Sequence, residues 1–305
     1  MKIGFNGLPL FTHELTQALS EVDAENKYVF YNTYEDLLAK VKLKLRASSL
    51  DGFVSFKGVS EPSKSLDLVL SKKIPLIMFW HGTEVSIALE RFRNGSIEWK
   101  FIKYAKHYSD APWLIEELKT LGINAELLRF KHLKGGFIRE HFDYESFKVL
   151  SYVGDERESF YGFEHVLKLA QEFPDVEFTI VGTKREFDIL PSNVISLGWV
   201  EKSKMNNLMQ SHAVLLRLTE HDGNAQMVIE ALANGMEVIW TQNHRLTHKW
   251  NGTDRLTSLL NKLREKVVKR GKKSNIENAK EIRELNNSQN VLSTFIDKLK
   301  QNFGA

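Results

Sequence analysis

Short, mainly apolar runs alternate with stretches of helical periodicity along most of this chain. Runs at residues 3–5, 28–31, 52–56, 76–80 and 125–130 read as strands, and runs at 149–153, 177–181, 194–197, 213–216 and 238–240 repeat the scheme. A strand covered by helices on both sides has no polar face, so a continuous apolar run rather than an in–out alternation marks a parallel sheet. Helices are expected between them: 12–22, a segment after Pro62, 84–92, 97–107, 111–121, 163–172, 202–210 and 225–233. Residues 34–49 have mixed character. Alternation in both halves restricts the chain to the α/β class, with two doubly wound, Rossmann-like sheets. Such sheets bind ligands at the carboxyl ends of their strands.

The 305 residues suffice for two domains of about 150 each. The boundary is expected at residues 143–148. That gives an N-terminal Rossmann-like domain, 1–147, and a C-terminal one, 148–305, which takes in the terminal basic helices. No cysteine is present, which excludes disulfides, thiolate metal sites and cysteine nucleophiles. Lys and Arg number 42 against 39 Asp and Glu, a balance that argues against a nucleic-acid partner. Apolar runs such as 76–80 hold five residues, far below the ~20 of a membrane span. The first residues carry one positive charge and a short apolar run broken by Asn6 and Gly7, with no small-residue cleavage site. They read as a first strand and turn, and the protein is expected to be cytoplasmic. Residues 255–305 carry a net charge of +7 against −4 for the remainder. Their apolar positions, 256–267 and 291–299, keep helical spacing, and 271–275 separates two helices.

The most informative segment runs from Arg217 to Thr241. It reads as a strand end, an acidic glycine turn (Glu220, His221, Asp222, Gly223, Asn224), a helix, and another strand. Backbone N–H groups at the helix start carry partial positive charge and suit a phosphate. Glu230 lies two turns into the helix, where its carboxylate could accept hydrogen bonds from both hydroxyls of a ribose. Each acid also has a plain structural use: an acid before a helix caps it, and a mid-helix Glu is commonly solvated.

This segment resembles the acidic-x7-acidic motif of GT-B glycosyltransferases, specifically the retaining family 4. Asp222 stands where that family usually has Glu. Glu230-Ala231-Leu232-Ala233-Asn234-Gly235 matches the second half. The similarity reaches back through 176–182 and 193–200 and covers 149–243 well, the first half more loosely. It implies two Rossmann-like domains facing across a cleft, with C-terminal helices. It further implies Asp222 beside the donor sugar, Glu230 on the nucleotide ribose, and Gly223 and Asn224 in the donor-binding turn.

Two pieces of the first half fit the same resemblance. His81 follows the run 76–80 and precedes Gly82. It matches the family histidine that approaches the donor sugar and reaction centre. Gly7 follows the first strand, where the family has a glycine pair and the backbone comes close to the donor. Both also have ordinary readings, as a packed histidine and a tight turn. One departure matters. After the first strand of its C-terminal domain the family has an Arg and then a Lys that neutralise the diphosphate. Here Asp155 and Tyr161 occupy those places. Arg217 and Arg157 are the substitute cations, Arg217 favoured, unless each pairs with an acid such as Glu156 or Glu220.

The stretch Lys40-Val41-Lys42-Leu43-Lys44-Leu45-Arg46 alternates cation and apolar residue. As a strand it gives one basic face; as a helix it spreads the charge. Its expected uses are a solvated surface, or peripheral contact with an anionic membrane or an acceptor phosphate.

These features lead to the expectation of a glycosyltransferase that moves a sugar from a nucleotide-diphosphate sugar to a saccharide or lipid-linked hydroxyl acceptor. By resemblance it is retaining. No acidic triplet or histidine pair has ligand spacing, so metal independence is expected. No cofactor is expected beyond the nucleotide-sugar donor. A sugar-nucleotide epimerase of the same architecture and a non-catalytic sugar- or nucleotide-binding protein are the alternatives.

Overall fold

The computed structural model describes residues 1–133, 138, 140–142, 147–187, 189–252, 255–271 and 273–304. The chain divides into two compact units, Met1–Lys134 with Asn286–Ala305, and Gly135–Leu285. Most of the expected boundary, residues 143–146, lies outside the described residues.

The first unit contains β1 (Lys2–Asn6), α1 (Pro9–Val22), β2 (Lys27–Phe30), α2 (Leu37–Arg46), β3 (Gly52–Ser55), α3 (Lys64–Ser71), β4 (Leu76–Trp80), α4 (Thr83–Arg93), α5 (Trp99–Tyr104), β5 (Lys106–Ser109), α6 (Pro112–Thr120) and β6 (Ala125–Leu127). Its strands form a parallel sheet in the order β2-β1-β3-β4-β5-β6. The order reverses between β1 and β3, so the connections leaving those strands diverge and leave a crevice at their carboxyl ends.

The sequence places a helix over 97–107, but residues 106–109 form strand β5. Lys-His-Tyr-Ser carries no apolar run because its polar atoms are satisfied one by one. Trp80 Nε1 donates to His107 Nδ1 at 3.2 Å, and Ser109 Oγ donates to the Trp80 carbonyl at 2.8 Å. Tyr108 accepts from Asn302 at 2.9 Å. A buried polar strand of this kind is stable only with such partners.

The sheet's two faces are covered differently. Helices α2 to α6 bury Leu43, Leu66, Val69, Val85, Phe101, Leu114 and Leu118 against one face. On the other, α1 is joined by the last helix, α12 (Ser288–Phe303), whose Leu292, Phe295, Ile296, Leu299 and Phe303 pack with Phe5, Val54, Phe56, Ile77, Phe79 and Phe130. Gly52 fits there because a Cβ would fall 2.3 Å from the Phe303 ring. The final helix therefore belongs to the first unit, not to the second as the sequence suggests. Its apolar stripe closes a face that α1 alone leaves open.

The second unit contains β7 (Lys148–Tyr152), α7 (Phe163–Glu172), β8 (Glu177–Val181), β9 (Val194–Ser196), α8 (Lys202–Ser211), β10 (Val214–Arg217), α9 (Gln226–Ala233), β11 (Glu237–Trp240), β12 (His248–Lys249), α10 (Leu256–Lys269) and α11 (Ile276–Leu285). The tail thus forms three helices where spacing indicated two. The strands run parallel in the order β12-β11-β10-β7-β8-β9, with the reversal between β7 and β10. Buried Glu237 opens β11 and is met by His248 at 2.9 Å, Arg270 at 2.8 Å and Lys266 at 3.2 Å. Burial alone would raise its pKa. The hydrogen bonds from His248 and Arg270 and the charge of Lys266 outweigh it and bring the carboxyl to about 2. On α12 and α2 the helix starts are capped by side chains, Asn287 and Asp36, which accept from Asn290 and Leu38 N–H groups.

Candidate active site

In the second unit the β7–α7 and β10–α9 connections leave neighbouring strands at the reversal, and the two are tied together. Glu220 N–H donates to the Phe160 carbonyl at 2.9 Å. Gly162, at φ +71°, lets Leu218 approach so closely that a Cβ would lie 2.7 Å from it. The connections thus meet as one rigid rim. Arg217, Asp222, Gly223, Asn224, Arg157, Asp155 and Tyr161 all lie on them.

Arg217 ends β10 and donates through Nε to Asp222 Oδ2 at 2.7 Å, with both side chains mostly buried. Thr219 Oγ1 donates to the same oxygen at 3.3 Å, and Thr241 Oγ1 holds the Thr219 carbonyl at 2.8 Å. The guanidinium centre lies 5.2 Å from the ring centres of both Tyr152 and Tyr161. Burial opposes its charge, but Asp222 more than compensates and raises its pKa. Arg217 therefore does pair with an acid, but with Asp222 rather than Glu156 or Glu220.

The two places where cations were missing now have structural explanations. Asp155 accepts from Lys184 N–H at 3.1 Å and Thr183 Oγ1 at 3.4 Å, fastening the segment after β8. Tyr161 walls in Arg217 and fills the space over Gly154, where a Cβ would meet its ring at 2.4 Å. Arg157 is exposed and lies over the Phe160 ring at 3.9 Å.

Gly223 and Asn224 are buried in the turn into α9. The residue before α9 is Ala225, which supplies no side-chain cap to the first turn. Glu230 is partly buried on α9 and accepts from Gln226 Nε2 at 2.9 Å, one turn back. A hollow of about 350 Å³ lies beside the rim, lined by Thr183, Lys184, Arg185, Phe187, Ser196 and Gly198. Phe187 stacks on Phe163 at 4.6 Å.

In the first unit, Gly7 leaves β1 at the other reversal with φ +86°. A Cβ there would sit 2.9 Å from the Phe56 carbonyl, so the turn requires glycine. His81 follows β4. Its ring lies 4.7 Å from Phe56, 4.9 Å from Phe130 and 5.6 Å from Phe79, nearly parallel to the last. Neither ring nitrogen has a hydrogen-bond partner among the described residues. Burial, and then the charge of Lys131, hold its pKa well below the ordinary histidine value. The imidazole is therefore neutral at pH 7, with both nitrogens unused.

Three residues around His81 escaped the sequence reading. Lys131 and Asp110 form a buried ion pair at 2.8 Å. Glu84 accepts from the His81 backbone N–H; burial raises its pKa, against the N–H groups that lower it. Asp110 follows β5, the strand hidden by its polar sequence, so that edge went unrecognised.

Lys40, Lys42, Lys44 and Arg46 all lie exposed on α2. Among the described residues no three His, Asp or Glu side chains gather as a metal site, and no helix is long and apolar enough to cross a membrane.

No family model and no curated protein sequence matches the chain. Solved structures do. Sucrose-phosphate synthase from Thermosynechococcus elongatus is similar with a TM-score of 0.70 and 12% identity, over 99% of this chain and 98% of that one. Anabaena HepE, solved with UDP-glucose, gives 0.65 and 13% over 99% and 100%. Pneumococcal O-GlcNAc transferase GtfA, solved with UDP and GlcNAc, gives 0.56 and 11% over 86% and 60%. At these identities the similarity is one of fold, and the fold is that of GT-B glycosyltransferases.

Proposed function

We propose that this protein is a glycosyltransferase that transfers a sugar from a nucleoside diphosphate sugar to a hydroxyl acceptor, with retention of anomeric configuration and no need for a metal ion. The observation that carries the reading is the meeting of Arg217, Asp222, Gly223, Asn224 and the uncapped start of α9 at the β7/β10 reversal. A diphosphate placed there meets first-turn N–H groups and a buried guanidinium. Glu230, one side chain further along α9, accepts from the ribose hydroxyls. Asp222 orients the donor sugar while it holds Arg217, and Arg157 adds charge from the exposed rim. As the leaving nucleotide gains charge, Arg217 and the α9 dipole stabilise it. His81, neutral and with both nitrogens unused, hydrogen-bonds a sugar or acceptor hydroxyl. Gly7 lets the backbone come close to the same substrates.

The acceptor is a saccharide or a lipid-linked hydroxyl, and Lys40, Lys42, Lys44 and Arg46 give the protein peripheral contact with an anionic membrane from the cytoplasmic side. The solved neighbours with bound UDP or UDP-glucose support a nucleotide-sugar donor.

The test is a melting-temperature screen against UDP, GDP, ADP and their sugars, followed by nucleotide release with acceptor mixtures. One nucleotide should raise the melting temperature, and its sugar should release nucleotide only when acceptor is added. Conversion of the donor sugar without acceptor would identify an epimerase. Binding without consumption of donor under any acceptor would identify a binding protein.

A further inference from the structure

The rim at the β7/β10 reversal extends one strand further, to the end of β8. In the order β10-β7-β8 the outer two strands lie two strand spacings apart, about 10 Å, on either side of β7. The segment after β8 is fastened to the segment after β7 at successive points. Val153 N–H donates to the Val181 carbonyl at 2.9 Å. Gly182, at φ +108°, lies so close to Val153 that a Cβ would meet its carbonyl oxygen at 2.7 Å. Asp155 then accepts from Thr183 Oγ1 and from the Lys184 N–H, and Arg185 N–H donates to Thr183 Oγ1 at 3.1 Å. Lys184 is thereby fixed at its backbone beside the end of β7, on the wall of the hollow it lines with Thr183, Arg185 and Gly198. The connections after β7, β8 and β10 together carry more acids than cations, so an entering diphosphate depends on the cations that are not already spoken for. Arg217 is paired with Asp222 at 2.7 Å and Arg185 with Glu158 at 4.0 Å. Arg157 lies on the Phe160 ring. Exposed Lys184 has no ion-pair partner among the described residues.

We infer that Lys184 is a phosphate-binding residue of the donor site, carried into place by Asp155. Asp155 stands where the family resemblance puts an arginine, yet the site does not lose that charge. The acid grips the backbone of the neighbouring segment, and the lysine on that segment supplies the cation. Lysine is a compact charge on a long flexible stem, able to follow a phosphate from an exposed position. Reaching in from β8, Lys184 meets the phosphate on that side, while Arg217 and the first-turn N–H groups of α9 meet the one on the β10 side. Asp155 is a positioning residue that acts through Lys184. The assignment deepens the transferase reading and rests on it.

The experiment is calorimetric titration of the full chain with UDP, GDP and ADP at low and high salt. Wild type should bind one of them. Lys184→Gln should weaken that binding about tenfold and flatten its salt dependence, with the melting temperature of the free protein unchanged. Lys184→Arg should keep both the affinity and the salt dependence. Lys168→Gln, which removes an exposed charge from α7 in the same unit, should change neither. Asp155→Ala should weaken binding as much as Lys184→Gln and speed amide exchange at residues 183–187, although it removes a negative charge. Asp155→Asn, whose carbonyl still accepts from the Lys184 N–H, should bind at least as tightly as wild type. Asp155→Ala with Lys184→Gln should bind no more weakly than either alone. Unchanged affinity in Lys184→Gln would overturn the assignment and leave the transferase reading standing, as would equal losses in Lys184→Gln and Lys168→Gln. Wild type that binds none of the three nucleotides overturns the reading and the assignment with it.

Discussion

Arg217 and Asp222 are joined at 2.7 Å, with the guanidinium centre 5.2 Å from the rings of both Tyr152 and Tyr161. The guanidinium proposed for the diphosphate is thus paired with the acid proposed for the donor sugar. The pair behaves as one unit, and its members should separate under mutation. Asp222→Asn keeps the shape and frees the Arg217 charge. Nucleoside diphosphate affinity should rise about threefold or more while turnover falls about 100-fold. Folding stability should drop by about 3 kcal/mol, the usual cost of breaking a buried pair. Calorimetric titration, turnover and denaturant unfolding of this variant check the three effects; affinity that falls with turnover would contradict the arrangement.

Glu230 accepts from Gln226, one turn away on the same helix, a pair worth about 0.2–0.5 kcal/mol. Glu230→Ala should retain the fold. It should weaken nucleotide binding about tenfold or more, since two hydrogen bonds to a charged acceptor are lost. Unaltered affinity would remove Glu230 from the donor site.

His81 is packed as an aromatic residue but carries two unused nitrogens. His81→Phe should retain the cluster with Phe56, Phe79 and Phe130 and keep the fold, while turnover falls about 100-fold or more. Because burial and Lys131 lower the His81 pKa, wild-type turnover should not fall through protonation of His81 as pH drops through the ordinary histidine range. Loss of turnover with an apparent pKa near 6.5, abolished in the variant, would contradict a buried neutral imidazole.

Acid should destabilise the second unit in two stages. Buried His212 is held between the Leu208 carbonyl and Thr179, and burial lowers its pKa from 6.5 to about 4. The unfolded chain takes up that proton first, so stability is complete above pH 6.5 and declines as pH falls toward 4. Glu237 has a folded pKa of about 2 against 4.5 unfolded. Its contribution is complete above pH 4.5 and is lost as pH falls toward 2. Urea midpoints at pH 7, 5 and 3 should therefore fall at each step. Glu237→Gln should remove the lower stage and cost about 3 kcal/mol at pH 7, because Arg270 and Lys266 lose their buried partner.

What the sequence revealed follows from which residues carried their own signal. A strand such as β4 is apolar throughout, and covering helices require that, so it stands out. β5 did not, because His107, Tyr108 and Ser109 are buried through partners distant in sequence, and with it went Asp110 and its pair with Lys131. The stripe Val291–Leu299 showed that a helix packs, but not that the bare face beneath β1, β3 and β4 was waiting for it. The turn 218–223 showed an acid near Arg217, while the fold back that joins Asp222 to it depends on Thr219 and Thr241. The Asp155 and Tyr161 departures were visible, and their cause, a fastened β8 segment and a walled Arg217, was not.

The proposed function stands on a nucleotide bound at the β7/β10 reversal against the start of α9. Amide hydrogen exchange with and without the nucleotide that raises the melting temperature tests it most directly. Slowed exchange is expected at residues 223–228 and in the 154–162 connection. Protection confined to other segments, with these amides unchanged at saturating nucleotide, would contradict it.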